Sequence, residues 1–343
     1  MELNGNPERK NTFISGVLSN ISERVRAQLA KISDAEWEKI EEIRLRNNRP
    51  VAVEGQFGRR YLSREGKLLA GLESAYNITS EEIIETLELM SESSIYAFVD
   101  EIKEGFITLQ GGHRVGICGR AIVRNGVITN ICNVSGLNIR IAKEIKGASD
   151  GVVKVNALPE NLLIISPPNC GKTTMLRDIA CKAGNLYKVG IVDERGEIAG
   201  FYKGVAQYDI GVNSDCMDLC PKSLGIDMLV RSMSPEVIVV DEIASNEDMR
   251  AVRNAANSGV RVIASAHGFG VEDVMRRINI CMEVFSEVVI LSRKSGGFSH
   301  VKIAWGGNNS GSKREIGDDL CDEIHQSPQG ASSPEIGSDD NGR

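Results

Sequence analysis

The sequence LLIISPPNCGKTTMLRDIACKA, residues 162–183, decides the fold class of this 343-residue chain. An apolar run typical of a buried strand leads into a proline-containing loop and then into a helical pattern. This order presents backbone N–H groups to a phosphate at a helix N-terminus, where Lys172 reaches the β- and γ-phosphates and Thr173 ligates Mg²⁺. The predicted nucleotide-binding residues are Pro167, Pro168, Asn169, Cys170, Gly171, Lys172, Thr173 and Thr174.

The loop departs from the usual phosphate-loop pattern at two positions. The pattern GxxxxGK[ST] places glycine at position 166, where this chain has Ser166, and Asn169 stands where glycine is common. A Cβ at position 166 would narrow the loop and weaken nucleotide binding if that residue needed a positive φ. A strand-to-helix turn with an incidental lysine is the alternative interpretation, and the acidic residues described below count against it.

Apolar runs alternate with helical segments from residue 158 onward, which predicts a doubly wound α/β fold with a mainly parallel sheet buried on both faces. The runs are LLIIS (162–166), KVGIV (188–192), VIVVD (237–241), VRVIAS (260–265) and EVVILS (287–292).

An acidic pair closes the third of these runs. A phosphate-binding loop needs one carboxylate that supports the water shell of Mg²⁺ and another that orients the attacking water. We expect Asp241 to support the metal through water and Glu242 to act as the general base. The alternative is that both residues only cap the next helix.

Two other runs also end in polar residues. Glu194, in VDER (192–195), would open onto the same crevice of a doubly wound sheet, although it could instead pair only with Arg195 or Arg177. His267 follows the fourth run and is predicted to sense the γ-phosphate, with a structural loop histidine as the alternative.

The N-terminal part mixes helical and strand patterns. Apolar residues at three- and four-residue steps predict helix over residues 12–45. The alternating segment EEIRLRNNRPVAVEG predicts a hairpin joined at Asn47–Pro50. Thr79, with Glu82 three residues on, predicts a capped helix over Ser80–Ser91. Glycine-punctuated short strands, ITLQGGHRVGICGRAIVRNGVITNI, are expected to follow.

These patterns predict three parts: a smaller α+β domain (1–147), a phosphate-loop domain (148–305) and a disordered acidic tail rich in Gly and Ser (306–343). The tail carries −5 of the net charge of −7, so the body is near neutral, which argues weakly against broad DNA binding.

The sequence shows no membrane-spanning run and no signal-peptide core, which predicts a cytoplasmic protein. The eight cysteines, without CxxC spacing, are expected to be reduced and mostly buried.

Several segments together resemble the bacterial stage III sporulation AA family, in the type II/IV secretion-ATPase branch of P-loop proteins. Besides the phosphate loop they are EIRLRNNRP (42–50), GGHRVGICGRA (111–121), LNIRIAKEIKG (137–147), VDERGEIAGFYKGVAQYDIG (192–211), LVRSMSPEVIVVDEI (229–243) and AANSGVRVIASAHG (255–268). The resemblance implies a RecA-like P-loop NTPase core with ATP and Mg²⁺ as cofactors.

The resemblance also implies roles for individual residues. Glu194 falls in the family's supplementary acidic box, Asp241–Glu242 in its second acidic motif and His267 in its histidine box. The family places arginines from the N-terminal domain or a neighbouring subunit near the nucleotide. Arg140 is the first candidate and Arg231 the second, while an exposed strand arginine is the alternative interpretation of Arg140.

One departure concerns the segment DEIASNED, where Ala244 and Ser245 replace the glycine and arginine that are common in the family. This puts an arginine contribution from that loop in doubt and favours slow turnover.

The function implied by the resemblance is an ATPase motor that forms a ring, expected to be a hexamer. It would act at the cytoplasmic, mother-cell face of a sporulation secretion or channel complex, with membrane proteins of the stage III group as partners. An ATP-dependent assembly scaffold with little hydrolysis is the first alternative. A nucleic-acid-directed RecA-like motor is the second, and the near-neutral body without a basic, aromatic-rich stretch disfavours it.

Overall fold

A computed structural model describes residues 14–91, 105–278, 282–294, 297–304 and 314–316. The described chain forms a seven-stranded antiparallel sheet near the N-terminus and an eight-stranded, mainly parallel sheet after it, with Arg49–Pro50 and Asn77–Ile78 as a separate pair of strands. The predicted α/β class is confirmed. In the part that the structure describes, no helix is long and apolar enough to cross a membrane.

The strands of the N-terminal sheet have the order β5-β4-β3-β1-β9-β8-β7, and the same part of the chain contains the helices α1 to α3. The helices are α1 (Glu23–Leu29), α2 (Asp34–Trp37) and α3 (Ser80–Met90), after a helical turn over residues 14–18. The strands are β1 (Ile40–Arg46), β2 (Arg49–Pro50), β3 (Ala52–Gly55), β4 (Gly58–Leu62), β5 (Leu68–Leu69), β6 (Asn77–Ile78), β7 (Phe106–Leu109), β8 (His113–Arg124) and β9 (Val127–Arg140).

The prediction of a helix through residue 45 is wrong beyond Trp37. The helical stretch is divided because Ser33 caps a new helix, and β1 begins at Ile40. The predicted hairpin is confirmed, since β1 pairs with β3 and Ile43 lies opposite Val53. The capping of α3 is confirmed too, with the Glu82 N–H donating to the Thr79 hydroxyl at 3.3 Å.

Of the expected short strands, β7 is present, but the rest of the segment forms one long hairpin of 12 and 14 residues, β8 and β9. Asn125 (φ 52°) and Gly126 (φ 79°) both have positive φ, as a two-residue turn matching strand twist requires. Pairing with β7 ends at Gly116 and pairing with β1 ends at Gly136. Beyond these points the two strands pair with each other.

The second sheet has the order β12-β11-β13-β14-β10-β15-β16-β17. Its strands are β10 (Asn161–Ser166), β11 (Val189–Asp193), β12 (Ser214–Asp218), β13 (Val237–Val240), β14 (Arg261–His267), β15 (Glu287–Lys294), β16 (Gly297–Ala304) and β17 (Arg314–Ile316). The first six are mutually parallel, and the last two continue antiparallel. Its helices are α4 (Lys172–Gly184), α5 (Lys222–Ser232), α6 (Asn246–Asn257) and α7 (Val271–Ile278).

All five strands predicted from apolar runs are present, and each is buried against helices because the runs leave no polar face. Two other expectations need correction. Arg314–Ile316, within the predicted disordered tail, pair with β16, which otherwise would leave its backbone groups at an open edge. Of the six described cysteines, all free, only Cys170 is buried, so the expectation of mostly buried thiols is wrong for this group.

Two contacts of α4 hold the chain that leads from one sheet to the other. The buried carboxylate of Asp178 accepts from the N–H groups of Gly147 (2.8 Å) and Ser149 (2.9 Å). The guanidinium of Arg177 donates to the carbonyl of Lys143 (3.3 Å) and stacks on Tyr208, 3.6 Å from the ring centre. A domain boundary at residue 147 stays a prediction.

Candidate functional site

The loop between β10 and α4 has the backbone of a phosphate cradle. Asn169 (φ 59°) and Gly171 (φ 80°) are left-handed, and asparagine tolerates this conformation better than most residues. Ser166 is the last residue of β10, and it is not among the residues with positive φ. Its hydroxyl donates to the Pro167 carbonyl at 2.7 Å. The Cβ of Ser166 therefore causes no backbone strain, and the reason for expecting it to obstruct the loop does not apply.

A polar cavity of about 330 Å³ opens at this loop. Because β10, β11, β13 and β14 are parallel, their carboxyl ends meet at the same edge of the sheet, where such folds bind ligands. The cavity is lined by Pro167, Pro168, Asn169, Gly171, Lys172, Thr173, Thr174, Arg195, Glu197, Asp241, Glu242 and His267. Cys170, also predicted in the loop, is buried and does not line it.

Strand pairing brings the predicted histidine to the loop. β14 lies between β10 and β13, and His267 is in register with Ser166. The Nδ1 atom of His267 lies 3.3 Å from the Ser166 carbonyl oxygen, and its Nε2 atom lies 3.4 Å from Glu242 Oε2. The imidazole thus stands between the phosphate loop and the acidic pair.

The carboxylate of Glu242 is the centre of the charged groups in the cavity. Its Oε2 atom lies 2.9 Å from Arg195 Nη1 and 3.5 Å from Lys172 Nζ. Lys172 is only 7% exposed, and its ammonium also lies 3.8 Å from Asp241 Oδ1. The lysine that the sequence assigns to phosphate is therefore held between the two predicted acids.

The backbone at Glu242 is strained. Its φ of 34° lies in the left-handed region, which costs an L-residue about 1–2 kcal/mol. The Glu242 N–H donates to the Ser265 hydroxyl at 2.9 Å, and that hydroxyl donates to Asp241 Oδ1 at 3.2 Å. Strain of this kind persists where surrounding contacts fix it, and it clusters at functional sites.

The segment after β11 is organised by Asp193. This buried carboxylate accepts from the N–H groups of Glu197 (2.8 Å), Ile198 (2.9 Å) and Ala199 (2.8 Å). Burial raises the pKa of Asp193 above its ordinary value, against the lowering effect of these three donors. The resulting turn places Arg195 and Glu197 on the cavity wall.

The same turn directs Glu194 elsewhere. Glu194 forms an ion pair with Lys222 at the start of α5 and does not line the cavity. Neither pairing considered for it in the sequence, with Arg195 or with Arg177, is the one that forms. Arg195 and Glu197 were missed, although both lie in the quoted segment VDERGEIAG.

Glu197 connects the cavity to the N-terminal sheet. Its Oε1 atom lies 3.2 Å from Arg114 Nη1 on β8, whose guanidinium stacks 3.6 Å above the Phe106 ring. Burial, and then the charge of Asp241, raise the pKa of Glu197, while Arg114 and Arg195 oppose this shift. Arg114 was also missed; the signal available was its place in the segment GGHRVG.

The two arginines proposed from the resemblance lie outside the cavity lining. Arg140 ends β9 directly opposite Arg114, is 69% exposed and lies 3.9 Å from a Glu42 oxygen. Arg231 lies on α5, mostly exposed, 3.6 Å from Asp227. Within one chain neither guanidinium reaches the acidic pair.

The residues present fit a Mg²⁺-nucleotide. The N-terminus of the 13-residue helix α4 faces the cavity, and its N-cap, Gly171, has no side chain to accept from the first N–H groups. These donors and Lys172 suit phosphate, while Thr173 and Asp241 could hold Mg²⁺. No group of three or more metal-binding side chains exists among the residues described, and Mg²⁺ beside phosphates needs only one or two carboxylates.

Comparison with known proteins identifies the family of this chain. The family model described as "Sporulation stage III, protein AA" matches residues 8–304. The chain belongs to the sporulation stage III protein AA family. A relative in this family, stage III sporulation protein AA of Bacillus subtilis, is 38% identical over 288 residues, which cover 80% of this chain and 90% of the relative.

Two solved structures of other proteins align with this chain and share its fold. The Yersinia pseudotuberculosis ATPase DotB aligns with a TM-score of 0.55 at 15% identity, covering 84% of this chain and 81% of its own. The pilus retraction motor PilT, solved with ADP, aligns with a TM-score of 0.53 at 15% identity, covering 77% and 78%. The second sheet and its helices therefore form a RecA-like P-loop fold.

Proposed function

We propose that this protein binds Mg²⁺-ATP in the cavity at the start of α4 and hydrolyses it. One observation carries the proposal: Lys172, Asp241, Glu242 and His267, from two strand ends and a helix N-terminus, converge on one polar cavity. The named ATPase and retraction motor with the same fold support it.

Each of these side chains has a part that its position supports. The first N–H groups of α4 and the Lys172 ammonium bind the β- and γ-phosphates. Thr173, and Asp241 through water, would hold Mg²⁺, which would neutralise charge on the phosphate oxygens. Glu242 takes the proton of the attacking water, and His267, between Ser166 and Glu242, senses the γ-phosphate.

Arg195 replaces the arginine that the loop after Glu242 lacks. Ala244 and Ser245 occupy that loop, and the Ser245 hydroxyl is used to cap α6, accepting from the Asp248 N–H at 3.1 Å. Arg195 reaches the same acidic pair from β11. We assign it to the terminal phosphate, and we assign the second acidic role to Glu197, which lines the cavity, in place of Glu194.

At the level of the cell, we propose a cytoplasmic ring-forming motor, a hexamer, that serves a sporulation secretion or channel complex through its membrane proteins. The name of the Bacillus subtilis relative supports the sporulation role, and the fold shared with a pilus retraction motor supports the motor. The exposed Arg140 is consistent with a residue that acts on a neighbouring subunit.

One observation favours a second candidate, a nucleotide-dependent scaffold with little hydrolysis. Glu242 lies within 3.5 Å of Arg195, Lys172 and His267, so its carboxylate is surrounded by potential cations. A carboxylate that keeps these ion pairs after ATP binds would not be free to take the proton of the attacking water.

The decisive experiment measures ATP binding and turnover by the full chain and by Lys172→Ala. The variant is expected to lose ATP binding while remaining folded, whereas Lys188→Ala, an exposed lysine before β11, serves as the matched control. Unchanged ATP affinity in folded Lys172→Ala would reject this cavity as the site. Binding without turnover, even when the protein assembles, would favour the scaffold.

A further inference from the structure

The hairpin of β8 and β9 carries a surface that the cavity does not use. Residues 118–128, including the turn, are exposed without interruption. Four β-branched apolar side chains are exposed around the turn: Ile122, Val123, Val127 and Ile128, with Val123 58% and Val127 63% exposed. An exposed apolar cluster of this kind, rather than a single exposed residue, indicates a binding surface.

Apolar side chains lie on both faces of this tip. Val123 is opposite Ile128, and Arg124 is opposite Val127. Cross-strand partners share a face and successive residues alternate, so Val127 lies on the face opposite to Val123 and Ile128. A groove in a protein would cover one face, whereas a surrounding apolar medium accommodates both.

The charge around the tip is positive although the chain is acidic. No Asp or Glu occurs between Glu104 and Glu144, within a chain of net charge −7. Arg120 and Arg124 are exposed next to the apolar residues. This combination is complementary to a bilayer that contains anionic lipid, where each nearby arginine adds to the attraction.

We propose that the tip of the β8–β9 hairpin inserts into the surface of an anionic lipid bilayer. Residues 122–128 lie at the level of the headgroups, and Arg120 and Arg124 contact lipid phosphates. Insertion is shallow because strand pairing on the outer sides ends at Gly116 and Gly136. The last outer hydrogen bonds join the Ile117 N–H to Gly105 and the Ser135 carbonyl to Asn47, and the outer-edge N–H and C=O groups closer to the tip would be costly in hydrocarbon.

This surface is joined to the nucleotide cavity by one strand. Arg114, which contacts Glu197, and Arg124 at the tip are both in β8, about 33 Å apart at the usual rise per residue. Lipid binding nevertheless needs no nucleotide. Lys172→Ala is therefore expected to bind vesicles as the wild type does, which separates this proposal from that of ATP binding.

The test sediments the full chain with vesicles of phosphatidylcholine alone and with added phosphatidylglycerol. Binding is expected only to the anionic vesicles and is expected to weaken with salt. Arg120→Gln with Arg124→Gln should weaken it about fivefold per arginine. Val123→Asp with Val127→Asp should weaken it at least ~10-fold. Val212→Asp, at an 85% exposed valine outside the hairpin, is the matched control and should bind normally.

A tryptophan at the tip gives a direct reading of insertion. The fluorescence of Val127→Trp should shift to the blue with anionic vesicles, and that of Val212→Trp should not. This variant and the arginine pair decide the question if the double aspartate variant fails to fold. The proposal is overturned if the wild type ignores anionic vesicles or if the tip variants bind equally well. It is also overturned if hairpin-dependent binding requires a membrane protein in the vesicles.

Discussion

Arg195 and Glu242 follow different strands, β11 and β13, and their side chains meet at 2.9 Å on the wall of the proposed nucleotide cavity. The Arg195 guanidinium thus forms an ion pair with the Glu242 carboxylate, which we assign as the general base. Phosphates that enter the cavity would compete with Glu242 for Arg195 and for Lys172. Nucleotide binding would then release the base from its cations as it fills the site.

Replacing Glu242 by glutamine should separate binding from hydrolysis. The amide keeps the size of the side chain but cannot accept the proton, so turnover is expected to fall about 10²-fold or more. ATP affinity should be retained. Titration with labelled ATP and a phosphate-release assay measure the two quantities, and near-normal turnover by Glu242→Gln would remove this residue from the role of base.

Arg195→Ala should weaken ATP binding more than ADP binding and should slow turnover. The reason is that we assign the Arg195 guanidinium to the terminal phosphate of ATP. ADP lacks this phosphate, so ADP binding loses less when the guanidinium is removed. Arg195→Lys keeps the charge but not the bidentate geometry and should restore only part of the loss. Isothermal titration with both nucleotides measures the ratio. Equal losses for ATP and ADP would contradict this assignment.

Glu197→Gln should slow hydrolysis more than Glu194→Gln does. Glu197 lines the cavity, whereas Glu194 pairs with Lys222 outside it. Because both substitutions remove one charge within the same segment, they are matched to each other. Turnover at saturating ATP is the measurement. A silent Glu197→Gln beside an inactive Glu194→Gln would return the acidic role to Glu194.

Turnover should rise with protein concentration if a neighbouring subunit completes the site. Arg140 is exposed and away from the cavity of its own chain, so Arg140→Ala should lower kcat more than ATP affinity. Mixing Arg140→Ala with Lys172→Ala should recover activity at interfaces that pair an intact loop with an intact Arg140. Specific activity that is independent of concentration, together with normal turnover by Arg140→Ala, would indicate a self-contained site.

Asp178→Ala should destabilise the fold by about 2–3 kcal/mol at pH 7, because it leaves buried donors unpaired. Burial alone would raise the pKa of Asp178, but bonds from Lys182, Ser149 and Gly147 outweigh it and lower the pKa below 3.8. A lowered folded pKa means that the stabilisation is full well above 3.8 and is lost as the pH falls below it. Urea unfolding of the wild type and of Asp178→Ala is measured from pH 7 downward. The difference between their free energies of unfolding should shrink only as the pH falls below 3.8.

How far the sequence predicts this protein depends on the kind of pattern. The strands β10, β11, β13, β14 and β15 are predictable because a strand buried on both faces is continuously apolar. β12, with the sequence SDCMD, was missed because an edge strand needs no such run. The helix expected through residue 45 failed because a capping serine and a strand interrupt one continuous apolar spacing.

The residues of the candidate site also divide into those that the sequence predicts and those that it does not. Lys172, Asp241, Glu242 and His267 were predictable because each stands at the end of an apolar run or in a loop of fixed spacing. The choice between Glu194 and Glu197 was not, because it depends on a turn that three backbone N–H groups close on Asp193. Arg114 reaches the cavity edge through contacts between the two sheets, which no local spacing encodes.

At residue 242, thermal stability and activity favour different residues, because the left-handed backbone of Glu242 is strained. Glycine or asparagine accepts a φ of 34° at lower cost than glutamate, so either would relax a strain of about 1–2 kcal/mol. Selection for heat-resistant variants of this protein is therefore expected to favour replacements at residue 242. Each of them would lack the carboxylate that the proposed reaction requires, and the variants easiest to crystallise or purify would be poor guides to the activity that we propose.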